Sequence, residues 1–141
     1  MPLRQENDFR CDVEELRGLI TPRTRMLVVN SPQNPTGGIL TQEDCEGIAR
    51  LAIEHDLIVL SDEIYNRLSY DGKHVSLYGI DGMAERTNYM DGLSKASANS
   101  GWGLGFGAIP GAVDKQVTTL RIHLLAIPQP SPQTEAADVL A

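Results

Sequence analysis

The sequence predicts an α/β protein, three-layer α/β/α with a mostly parallel sheet. Short runs of consecutive apolar residues alternate with stretches of helical periodicity, the arrangement that builds parallel sheets. Each run is apolar throughout, the pattern of a strand covered on both faces. The chain also sets a polar group just past each of three runs: Asn34, Asp62 and Lys95. In such sheets the working groups gather beyond the carboxyl ends of the strands.

The elements follow in order. Asp12 to Ile20 carries Val13, Leu16, Leu19 and Ile20 at helical spacing, with Asp12 as N-cap, Glu15 three residues on, and Thr21-Pro22 as the stop. Met26–Val29 is the first buried strand, and a turn-rich stretch, Asn30–Gly38, follows it. Thr41 opens a helix to about His55, with Asp44 three residues on and Cys45, Ile48, Ala49 and Ala52 as its apolar face. Leu57–Leu60 is the second strand, ending in Ser61-Asp62-Glu63. Leu68–Val75 reads as a hairpin around Asp71-Gly72. Thr87–Leu93 and the glycine-rich Leu104–Ile109 are further strands, Gly111–Leu125 a helix, and Ile127–Gln133, with three prolines, a loop.

Composition excludes several classes. The 141 residues, 41% hydrophobic and 22% charged, suffice for one core. A net charge of −7 with no basic cluster argues against nucleic acid or an anionic membrane surface as partner. No apolar run reaches the roughly 18 residues of a membrane helix. Met1–Arg10 is polar and lacks the apolar core of a signal peptide, so the expected setting is cytoplasmic. Cys11 and Cys45 stand alone, outside any metal-ligand spacing, so no metal site is expected. His55, His74 and His123 are scattered and read as surface or helix-end residues.

Singly, the polar groups have ordinary explanations. Asn34-Pro35-Thr36-Gly37 is a turn, Asp62-Glu63 a solvated strand end, and Lys95 a surface lysine. Together they suit one chemistry. A lysine partly desolvated among small residues loses its proton more easily, and a neutral amine forms a Schiff base with a carbonyl. A carboxylate pairs with a protonated ring nitrogen. Tyr65 and Asn34 can donate hydrogen bonds to a phenolate oxygen. These are the groups that make pyridoxal phosphate an electron sink.

Three segments carry a resemblance: Asn30–Gly38, Ser61-Asp62-Glu63-Ile64-Tyr65, and Leu93-Ser94-Lys95-Ala96 followed by Gly101-Trp102-Gly103-Leu104-Gly105. In order and spacing they resemble the Asn-Pro-Thr-Gly loop, the Asp-Glu-x-Tyr strand end and the Schiff-base lysine segment of the aspartate-aminotransferase-like, fold-type-I pyridoxal-phosphate enzymes (aminotransferase class I and II). The resemblance spans almost the whole chain. It implies the central part of that family's large, cofactor-binding domain over 1–141, without the family's N-terminal segment and C-terminal small domain. It also implies Lys95 as Schiff-base lysine and proton shuttle, Asp62 on the pyridine nitrogen, and Tyr65 and Asn34 on the ring oxygen, with Ser94 near the phosphate. Amino acid and 2-oxo acid substrates, and a homodimer in the full-length enzyme, come with it.

The sequence departs from the family at Gly103, where the resemblance expects an arginine clamping the phosphate. By the cost of truncating one partner of a buried charge pair, that loss is worth about 2–5 kcal/mol. Two alternatives to transamination stay open: a truncated, non-catalytic fragment or pseudoenzyme with weak or no cofactor binding, which Gly103 favours, and a carbon–sulfur lyase of the same fold type, whose motifs are the same.

Overall fold

The structure, a computed structural model, describes residues 1–70, 72–124, 133–134 and 136–138. The elements run α1 (Val13–Leu19), β1 (Met26–Asn30), α2 (Gln42–Glu54), β2 (Ile58–Asp62), β3 (Thr87–Gly92), β4 (Gly105–Ala108) and α3 (Gly111–Leu124). One four-stranded sheet has the order β1-β2-β3-β4. The first three strands are parallel, in the side-by-side arrangement expected, and β4 returns antiparallel along β3.

Local chemistry sets the helix starts. The Asp12 carboxylate accepts from the backbone N–H groups of Glu14 and Glu15 and caps α1. Thr41 and Asp44 form a reciprocal capping box on α2. Arg10 then grips the Asp44 carboxylate through Nε and Nη2, both at 2.8 Å, fastening the N-terminal segment to the start of α2. The α2 face formed by Cys45, Ile48, Ala49 and Ala52 is fully buried and packs with Leu27, Leu57, Val59, Leu77 and Met83. His55 caps the C-terminus of α2, as expected. At the far edge, Gly107 of β4 lies against the Tyr89 carbonyl so closely that a Cβ would collide with it, so only glycine fits.

Three sequence expectations are corrected. The strands are not buried on both faces: Met26, Val28 and Met90 are 45%, 71% and 47% exposed. The α2 side of the sheet is packed. The other side opens onto a cleft of about 710 Å3, whose lining includes Leu60, Met90 and Phe106 opposite Asp114 and Val117 of α3. An unbroken apolar run cannot distinguish a strand covered twice from one covered once. Second, Leu68–Val75 forms no hairpin among the described residues; Asp71 lies outside them. The chain there is drawn inward by side-chain bonds of His74 and Ser76, which leaves no ladder. Third, His74 is not a surface histidine. Its side chain is 12% exposed and bonds Glu63. Of the expected proline-rich loop, residues 127–132 lie outside the described residues, as does Leu125, and Gln133 takes helical geometry.

Candidate active site

The parallel strands deliver their ends to one edge. Asn30, the last residue of β1, is in register with Asp62, the last of β2. Side chains alternate along a strand, so Asn30 and Asp62 share the open face with Val28 and Leu60. Asn30 stitches the two ends together. Its Nδ2 donates to the Asp62 carbonyl at 3.1 Å, and its Oδ1 accepts from the Asn34 backbone N–H at 2.9 Å. The Asn30–Gly38 loop closes on itself through bonds from the Gly37 N–H to the Gln33 carbonyl and from the Gln33 N–H to the Gly38 carbonyl.

That loop aims Asn34 at the turn after β2. The Asn34 amide lies 3.3 Å from the Tyr65 hydroxyl. Lys95, three residues past β3, sets its Nζ 5.8 Å from the centroid of the Tyr65 ring, within cation–π range. Asn34, Tyr65 and Lys95 are therefore brought together. Asp62 is at the same strand edge, its Oδ1 accepting from the Ile64 N–H at 3.3 Å. The expected desolvation of Lys95 is not met: its side chain is exposed. A cleft of about 410 Å3, lined in part by Asn34, Pro35, Tyr65, Leu68 and Tyr70, adjoins the group.

Beneath this edge lie polar residues that the sequence did not single out. Glu63 is 1% exposed and accepts from Ser61 Oγ and Ser76 Oγ, both at 2.9 Å, and bonds His74 Nε2 at 2.6 Å. Asn66 donates to the Tyr89 hydroxyl and to Asp91, and Tyr89 itself donates to Asp91 at 2.9 Å. Burial, with the Asp91 carboxylate, pushes the Tyr89 phenol well above its usual pKa, so it stays a donor. Asn30 sits inside the loop motif and Glu63 beside Asp62, so adjacency was the available signal. Nothing in the sequence links His74 to Glu63 across eleven positions.

A family model, aminotransferase class I and II, matches residues 1–139. The chain belongs to this aminotransferase family. It is 45% identical to aromatic-amino-acid aminotransferase 2 of Thermococcus litoralis over 141 residues, covering 99% of this chain and 36% of that protein. It is 43% identical to the aspartate aminotransferase of Pyrococcus abyssi over the same shares of each chain. Among solved structures, an aromatic aminotransferase from Pyrococcus horikoshii superposes with a TM-score of 0.84 at 44% identity, over 87% of this chain and 33% of that one. The chain thus spans about a third of the length of the aminotransferases it matches, and its fold is that of fold-type-I aminotransferases.

Pyridoxal phosphate is the general cofactor of aminotransferases of this class. The ring-side donor set fits it: a carboxylate, a phenol, a carboxamide and an amine share one edge, and the amine is accessible. The phosphate side is less furnished. Between Ser94 and Gly105 the sole basic residue is Lys95. Gly103 has left-handed φ (+57°) after a short 3-10 helix, Ser100–Trp102, and a Cβ there would meet nothing within 4 Å.

Proposed function

We propose that this chain holds pyridoxal phosphate through Lys95 and serves the transfer of an amino group between an amino acid and a 2-oxo acid. The observation that carries the proposal is the contact chain Asn34–Tyr65–Lys95 at the strand edge that also holds Asp62. The bound cofactor supplies an electron sink for charge developing at the substrate Cα. Asp62 would pair with the ring nitrogen and favour its protonated form. Tyr65, with Asn34 behind it, would present a hydrogen-bond donor to the ring oxygen. Lys95 would supply the amine that holds the aldehyde, and its amine would carry the proton at the substrate Cα. A homodimer with the site at its interface belongs to the same proposal for the full-length enzyme.

The test is borohydride trapping after incubation with pyridoxal phosphate, read by peptide mass spectrometry. Label on Lys95, lost in Lys95→Ala, is the expected result. Label spread over other lysines overturns the reading. Asp62→Ala should keep the label but lose amino transfer. Release of a thiol without any 2-oxo acid acceptor would point to a carbon–sulfur lyase instead.

Gly103 favours a second reading, a chain that folds but grips the cofactor weakly, because a phosphate clamp is missing where the family carries one. Trapping at Lys95 only at high cofactor concentration would support it.

A further inference from the structure

We propose that Glu63 and His74 act as a positioning pair that sets the direction of the Asp62–Tyr65 turn. The proposal rests on the function above only for what that turn carries. Glu63 is held at every polar atom. Its N–H donates to the Met90 carbonyl at 2.9 Å, and its carbonyl accepts from the Asn66 N–H at 2.9 Å. Its carboxylate meets Ser61, Ser76 and His74. Asp62 and Tyr65 sit one residue before and two after this fixed point.

The bonds reach into separate parts of the fold. Ser61 belongs to β2. His74 and Ser76 lie on the segment that is also held by Cys45 Sγ on the Val75 carbonyl and by buried Leu77. Glu63 therefore ties the strand end to the segment that packs on α2. A buried apolar side chain at 63 would fill the space without fixing a direction. A buried carboxylate must meet its donors, and three donors at fixed places admit one course of the turn. Alternation along β2 sends Asp62 to the open face and Ser61 to the packed one, and Glu63 reaches back to Ser61. The pair thus stands behind the site groups, a positioning role. His74 Nδ1 is buried with no partner among the described residues, so the polar tie of this ring is the one to Glu63.

Amide hydrogen exchange on the cofactor-free chain tests this directly. In Glu63→Gln and in His74→Leu, exchange at the Ile64 and Asn66 amides should accelerate about tenfold while amides of α2 stay within about twofold, because opening would be local. His74→Gln keeps an N–H donor and should recover most of the protection. Equal acceleration in α2 and the turn, or no acceleration, overturns the proposal. So does failure of His74→Gln to recover more than His74→Leu. If Glu63→Gln does not fold, the two His74 variants carry the comparison. With pyridoxal phosphate added, His74→Leu should bind about tenfold more weakly, in line with the loss of a supporting residue behind a site. Unchanged affinity alongside faster turn exchange also overturns the proposal. A parent chain that takes up no pyridoxal phosphate refutes the proposed function alone, since the exchange data still decide the role of the pair.

Discussion

Gly103 is the position where one side chain has most to change. Its left-handed φ disfavours any other residue by about 1–2 kcal/mol. Against that stands the roughly 2–5 kcal/mol ascribed to a buried phosphate clamp. The space around the Cβ is open, so strain is the main cost of Gly103→Arg. The expected outcome is pyridoxal-phosphate binding tightened by about tenfold or more, measured by titration of the parent and variant chains. Equal affinity would mean that position 103 faces something other than the phosphate. At this scale the sequence was informative about chemical type: Asn34, Tyr65 and Lys95 do meet. It said little about environment. Lys95 stands exposed because small neighbours such as Ala96 and Ser97 do not cover it, and Glu63 is buried because a distant histidine and two serines reach it.

Among the elements, α2 was the most legible. Its cap, its apolar face and its end all follow from spacing, since a helix dictates which residues share a side. The segment between β2 and β3 was the least. Its course is decided by long-range polar bonds, while turn chemistry at Asp71-Gly72 suggests a hairpin. The α2 start also makes a pH prediction. Burial opposes ionisation of Asp44, but the bonds from Arg10 and Thr41 outweigh it and hold the carboxyl below its ordinary pKa. A depressed native pKa contributes stability that is fully present above the unfolded value, about 3.9, and lost as pH falls through the native one. Urea melts should show the chain losing stability below about pH 4, with Asp44→Asn less stable at pH 7 and flatter in that acid range. A variant as steep as the parent would assign the acid sensitivity to other carboxylates. Arg10→Ala should cost about 1–3 kcal/mol at pH 7 by the same melts, as it leaves a buried carboxylate short of a partner.

For the whole molecule, the sheet is packed on one side and open on the other. Met26, Val28 and Met90 present apolar surface, and among the described residues β1 is an edge strand paired only with β2. Self-association that rises with concentration is the expected behaviour, followed by sedimentation velocity. Val28→Glu should reduce it with little loss of stability, because Val28 is 71% exposed. A parent that stays monomeric at high concentration would oppose this. The short 3-10 helix ahead of Gly103 has one more consequence. It carries Trp102, the sole tryptophan of the chain, seven residues after Lys95 and so no more than about 25 Å away along even a fully extended backbone. All indole fluorescence of the molecule therefore originates within that distance of the lysine, and an absorbing chromophore seated there should quench it by energy transfer. The protein carries its own optical gauge of occupancy, readable without any added dye.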